Sequence, residues 1–201
     1  MSYKGFIKNI GNEALKQLSP ELKALAAKAP KYTPPTKAMP TAKGPGRMWT
    51  IESAQDAVAD LSKADAANGK RMFEATLCAR CHSHSGEGGS SGPELSKLGN
   101  RFSKTDILTA IIKPSEVISE QYHFSILHMK DKTDVYGRII KETDTHVFLA
   151  SSAFDLSQQV SVEKSKILKR SHSPVSPMPP SLINSLNPDE LRDLMRFLTG
   201  E

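Results

Sequence analysis

Cys78-Ala79-Arg80-Cys81-His82 is the densest cluster of reactive side chains in the chain. Two thiols separated by two residues, with an imidazole directly after, have one well-defined use. The thiols add across the two vinyl groups of a porphyrin and become thioethers, and the histidine then sits under the iron as its proximal ligand. Other uses of a cysteine pair fit less well. A structural zinc site draws four ligands from paired clusters, and Cys78 and Cys81 are the only cysteines. A thioredoxin-like redox pair needs a βαβ setting, which the flanking sequence lacks. The motif predicts one covalent haem c attached at Cys78 and Cys81, with His82 on the iron.

An electron carrier keeps its iron closed on both sides, and the second ligand is usually Met or another His. Of the seven methionines, Met178 stands apart, because Ser176-Pro177-Met178-Pro179-Pro180 is a stiff irregular loop just before the last helix. Prolines on either side pre-order such a loop, so a weak thioether bond need not supply all of the ordering entropy. Met178 is the expected sixth ligand, with His172 and then Met129 as alternatives.

These residues need helices to hold them. Asp65 to Leu77 reads as a helix leading into the cysteines, with Gly69 and Phe73 on one face. A glycine there admits a second helix at close range, and Pro188 to Leu198 is the expected partner. Asn187 caps it, Pro188 takes the first helical position, and Asp189 and Glu190 meet the positive end of the dipole. Leu191, Leu194 and Leu198 supply its apolar face. Thr50 is the expected cap of a helix through Leu61, with Trp49 as a packing anchor before it. A further helix runs from Phe102 to Ile112, with Ser103 as cap, Asp106 at the capping-box position and Pro114 as terminator. The glycine-rich stretch Ser85 to Pro93 lacks the Lys-Ser/Thr ending of a phosphate-binding loop.

Between the helices the hydrophobic period changes to that of strands. Tyr122, Phe124 and Ile126 alternate, and Val135–Ile140, Thr145–Ala150 and Gln159–Val162 are further β-rich runs with turn signals between them. A small antiparallel sheet or compact barrel is expected. His123, His128 and His146 fall within it; a metal site is conceivable, but exposed strand residues are the simpler reading. At the other end, Ser2 to Ala29 carries helical spacing at Ile7, Ile10, Leu15 and Leu18, and Ser19-Pro20-Glu21 is a helix start. Pro30, Pro34, Pro35, Pro40 and Pro45 then mark an extended linker.

With 201 residues, 38% of them hydrophobic, and a mean hydropathy of -0.40, the chain can build one or two small domains. No run approaches the length of a membrane span. The net charge of +5 is scattered and not gathered in a stripe, which argues against a nucleic-acid partner and suits docking to an acidic redox partner. The start of the sequence lacks the apolar centre of a secretory signal. Haem is attached to such motifs outside the cytoplasm, so a piece of a longer exported, periplasmic protein is expected.

Taken in order, Arg47-Met48-Trp49-Thr50, Asn68-Gly69-Lys70-Arg71-Met72-Phe73, the Cys78–His82 motif, Gly92-Pro93-Glu94-Leu95, Arg101-Phe102-Ser103, Lys113 to Ile118 and Ser173 to Pro179 resemble the haem-binding c-type cytochrome domain common in planctomycetes and verrucomicrobia. The two crossing helices likewise resemble those of class I cytochromes c. The resemblance implies a mainly α fold with a small antiparallel β-insert, a class I cytochrome c-like helical core around one covalent haem. It implies His82/Met178 ligation, with the Pro93 carbonyl accepting the His82 N–H and Leu95 and Leu98 lining the haem edge. The family often has Leu where Pro177 stands. Residues 1–46 are then an N-terminal extension and linker. Residues 47–201 form the cytochrome domain, divided into a haem-binding part (47–121), the β-insert (122–170), and the Met loop with the last helix (171–201). The implied function is single-electron transfer between a dehydrogenase donor and a downstream acceptor, not catalysis. A gas or redox sensor, or a peroxidase-like enzyme with a labile Met, is the alternative.

Overall fold

The computed structural model describes residues 13–28 and 39–200. The chain divides into two compact units, Met1–Ala38 and Met39–Glu201. In the first, helix α1 (Pro20–Lys28) has Glu21 in its first turn, and the Ser19 hydroxyl accepts from the Leu22 amide at 3.4 Å. Ile7, Ile10, Pro30, Pro34 and Pro35 lie outside the described residues.

The second unit begins with an extended segment leading to α2 (Ile51–Ala57), where Thr50 and Ser53 form a capping box. The expected continuation to Leu61 does not occur. Asp60 turns back to accept from the Ser62 amide at 2.8 Å, and this local bond competes with the helix ladder. Val58 and Leu61 are buried all the same. Helix α3 (Ala66–Ala75) is capped by Asp65, which accepts from the amides of Ala67 and Asn68. Leu77 then takes a left-handed conformation, φ 65°, and redirects the chain into a single turn, α4 (Cys78–Cys81). Helix α5 (Lys104–Ile112) has the Ser103/Asp106 capping box, and α6 (Pro188–Thr199) has an Asn187/Glu190 box with Gly200 closing its end at φ 72°.

α3 and α6 cross at Gly69. A Cβ there would stand 2.0 Å from the Asp193 carbonyl oxygen and 2.7 Å from Phe197 Cβ, so no larger residue permits this separation. Polar ties fix the crossing: the Asp193 carboxylate accepts from the Asp65 amide at 2.7 Å and from Asn68 Nδ2 at 2.8 Å. Beside it, the Phe73 and Phe197 rings lie 5.5 Å apart. The core beneath holds Trp49, Ala54, Met72, Cys78, Leu98 and Leu108, with Leu191, Leu194 and Leu198 from α6. Burying each of these leucines contributes about 1.5–3 kcal/mol.

The inserted β-region has its own core. A two-residue ribbon, β1 (Ser83–His84) and β2 (Glu87–Gly88), precedes it. Then come β3 (Ser125–Met129), β4 (Asp134–Glu142), β5 (His146–Ala150), β6 (Gln159–Glu163) and β7 (Ile167–His172), all antiparallel in the order β6-β5-β4-β3-β7. In a flat sheet the outer strands would be four spacings of about 4.8 Å apart, near 19 Å. They are joined only by Lys164–Lys166 in a 3-10 turn, which rises about 2 Å per residue. The sheet therefore curls into a small open barrel, in which β6 and β7 remain edge strands with no ladder between them. Bulges help: the register shifts between Ile139 and Lys141 in β4 and between His128 and Met129 in β3, which raises local twist. Leu127, Met129, Val147, Leu149 and Val162 fill the interior.

Two details differ from the sequence reading. The alternation from Tyr122 through Ile126 changes phase, since Phe124 and Ser125 are both buried and the inward face then continues through Leu127 and Met129. A fifth strand, β7, was not expected. Its residues include Lys169, Arg170 and an exposed Leu168; charged residues of this kind suit a sheet edge and hide the strand pattern.

Candidate haem site

The left-handed turn at Leu77 delivers Cys78 to the core, where it is buried. Its sulfur lies 3.3 Å from Thr76 Oγ1, which itself donates to the Met72 carbonyl at 2.7 Å. Burial pushes the Cys78 thiol up from its ordinary value. A thioether carries no charge, so the same burial does not oppose covalent attachment. Cys81, one turn on, is half-buried, and both thiols are free.

The His82 amide donates to the Cys78 carbonyl at 2.9 Å, closing the turn. Its ring Nδ1 lies 2.9 Å from the Pro93 carbonyl oxygen. A carbonyl only accepts, so Nδ1 carries the proton and Nε2 presents its lone pair. Burial lowers the His82 pKa, which favours the neutral ring that binds metals. Among the described residues, no hydrogen-bond partner occupies Nε2.

The glycine-rich loop is a clamp around this imidazole. Its backbone is tied to the motif by Gly89 N–H to Ala79 O at 2.9 Å, Gly92 N–H to Cys81 O at 2.7 Å and Leu95 N–H to Ser83 O at 2.9 Å. A Cβ at Gly89 would meet the Arg80 carbonyl oxygen at 2.2 Å, and one at Gly92 would meet His82 Cε1 at 2.6 Å. The glycines are needed for approach, and the approach places the Pro93 carbonyl on the ring.

Met178 is half-buried and packs, with Leu95, against the core that contains Cys78 and Leu98. Its loop is ordered by hydroxyl bonds. The Met178 amide donates to Ser176 Oγ at 3.1 Å, and the Ser176 amide donates to Ser115 Oγ at 3.0 Å. Cys78 and Leu98 thus belong to the same apolar core against which Leu95 and Met178 pack. The alternatives do not join them. Met129 lies in the barrel interior, and His172 is exposed, stacked on His123 with centroids 3.6 Å apart. His128 pairs with Asp134 and Ser171 at 2.8 Å each, and His146 lies 2.8 Å from Thr145 Oγ1. Among the described residues, no group of three or more His, Cys, Asp or Glu could hold a metal ion.

The residues present fit haem c. Two free cysteines flank one turn, an oriented imidazole offers Nε2, and a half-buried thioether reaches the same core. Trp49 Nε1 is buried there with no hydrogen-bond partner.

Sequence reasoning missed four contributions. The Arg138 guanidinium on β4 donates to the Ser91 carbonyl at 2.7 Å, and Cys81 Sγ lies 3.9 Å from the Ala153 carbonyl in the β5–β6 loop. Both bring the barrel onto the segment that carries Cys81 and the glycine-rich loop. His84 stacks on Phe197 at 4.0 Å. Glu190 is not only a first-turn acid, since its buried carboxylate accepts from the amides of Lys43 at 2.6 Å and Gly44 at 3.3 Å. None of these long-range pairings leaves a local signal.

A model of the Cytochrome c family matches residues 66–146. The match takes in the Cys78–His82 motif, the glycine-rich loop and the barrel as far as the first residue of β5, and it supports a c-type cytochrome, a haem-binding electron-transfer module with redox partners. No curated protein matches the chain. No helix among the described residues is long and apolar enough to cross a membrane.

Proposed function

We propose that the chain is a single-electron carrier holding one haem c, bound through Cys78 and Cys81 and ligated by His82 and Met178. The observation that carries this reading is the 2.9 Å bond between His82 Nδ1 and the Pro93 carbonyl, formed directly after a Cys-x-x-Cys turn. It fixes the tautomer, aims Nε2 and makes the imidazole a stronger donor. When bound, the haem supplies a one-electron iron couple. The protein's part is to hold, orient and dry it. Leu95, Leu98 and Met178 exclude water, and the proline-flanked loop keeps the sulfur in place so that little rearranges between oxidation states.

The likeness to planctomycete and verrucomicrobial domains extends the proposal. The module accepts electrons from a dehydrogenase, fused or docked, in an exported protein, and passes them to a second redox protein. Its positive charge of +5 favours acidic partners by steering encounter.

The direct test is intact-mass spectrometry after expression with haem-attachment machinery. The reading requires a mass gain of one haem that survives acid denaturation. Retention of that gain in the Cys78→Ser/Cys81→Ser double variant would contradict it, as would recovery of only apoprotein from cells that load a control c-type cytochrome.

A further inference from the structure

The barrel approaches the site at two points, the Ala153 carbonyl 3.9 Å from Cys81 Sγ and the Arg138 side chain on the glycine-rich loop. The Arg138 guanidinium donates to the Ser91 carbonyl at 2.7 Å. One residue further on, Gly92 packs against the His82 ring, and the Pro93 carbonyl then takes the His82 Nδ1 proton. The Arg138 guanidinium carbon lies 5.2 Å from the centroid of the Tyr122 ring, whose face attracts a cation without neutralising it. Arg138 is half-buried, and among the described residues no carboxylate pairs with it. A positive charge here is poorly screened.

Holding the loop does not explain this arrangement. The backbone bonds from Gly89, Gly92 and Leu95 already tie the loop to the cysteine turn. What Arg138 adds that they do not is charge. The ferric site carries one more positive charge than the ferrous site, so a nearby cation favours the reduced state.

We propose that Arg138 sets the reduction potential: the barrel exists in part to carry a fixed positive charge to the proximal face of the haem and raise its affinity for an electron. This rests on the haem-binding reading. The two fail separately, because that reading fails if the parent protein takes up no haem, whereas this inference is judged only on loaded protein.

The test compares haem-loaded parent, Arg138→Met and Arg138→Lys by spectroelectrochemical titration at fixed ionic strength, with circular dichroism confirming the fold. In Arg138→Met, at the parent's midpoint, the reduced-to-oxidised ratio should fall severalfold. Arg138→Lys keeps the charge and should recover most of the parent's ratio. A tie without electrostatic effect would move the unfolding midpoint but not the redox ratio. Should Arg138→Met load poorly, Tyr122→Leu, which removes the ring under the guanidinium, is titrated instead and should shift the ratio in the same direction by a smaller factor. An unchanged or increased reduced fraction in Arg138→Met, or in Tyr122→Leu where that replaces it, would overturn the proposal. So would an Arg138→Lys ratio no nearer the parent's than that of Arg138→Met.

Discussion

Replacing Gly92 by alanine places one methyl group against the His82 ring. The added Cβ would stand 2.6 Å from His82 Cε1 and 2.8 Å from Nδ1, where comfortable contact begins near 3.5 Å, so the ring must withdraw by about 1 Å or turn. The interaction that yields is its 2.9 Å bond to the Pro93 carbonyl. Three effects compete. Gly92 does not have a positive φ, so alanine gains about 0.4–1 kcal/mol by restricting the unfolded chain. Overpacking costs about 1–3 kcal/mol, and the loosened hydrogen bond about 0.5–1.5 kcal/mol. The costs win, with a net loss near 2 kcal/mol, read as a lower urea midpoint at unchanged m-value. Released from its acceptor, the imidazole donates less to the iron, so the midpoint potential should rise. Gly86→Ala is the control. Gly86 has φ +82° and nothing within 4 Å of its would-be Cβ, so alanine there costs about 1–2 kcal/mol of backbone strain and leaves the potential alone. A Gly92→Ala protein as stable as the parent, with the parent's potential, would refute the reasoning.

The other expectations concern the frame and the distal side. Gly69→Ala gains about 1 kcal/mol in helix propensity but drives a methyl into the Asp193 carbonyl at 2.0 Å, so chemical denaturation should show a net loss of about 2 kcal/mol or more as α3 and α6 separate. Glu190→Ala leaves the amides of Lys43, Gly44 and Asn187 without their shared acceptor. It should cost about 3 kcal/mol and speed tryptic cleavage after Lys43. Arg170 and Lys164 hold Glu142 down at about 2, so the carboxylate stays charged in the fold at pH values where the unfolded chain, titrating near 4.5, is already protonated. Its stabilisation is complete above that value and fades as pH falls towards 2. For these exposed partners it is worth about 0.5–1 kcal/mol, so Glu142→Gln should be less stable by that much at pH 7 and match the parent near pH 2. Met178→Ala should open the iron to CO and lower the potential, because a thioether ligand favours the ferrous state.

Much of the local frame around the candidate site was legible because its determinants are local. The spacing of Cys78, Cys81 and His82 is the one that porphyrin attachment would require, and the caps at Thr50, Ser103 and Asn187 act within three residues of themselves. Gly69 could be read as a crossing point because glycine on an apolar helix face has few other purposes. The end of α2 was misplaced because a side-chain turn at Asp60 outcompetes a continued helix. Strand β7 was missed because an edge strand needs no alternating face. The barrel's hold on the haem loop depends on Arg138 and Ser91, whose pairing has no periodicity to betray it. Glu190 was seen as a dipole partner but not as the anchor of residues 43 and 44, since only the fold brings them together.

The central claim, a haem iron closed by His82 and Met178, is tested most directly by visible absorption of the loaded protein, oxidised and reduced, with and without CO. An iron closed by these two residues gives sharp reduced bands, a weak far-red thioether-to-ferric band, and a reduced spectrum unmoved by CO. A prompt CO shift and no far-red band would contradict it, placing Met178 off the iron.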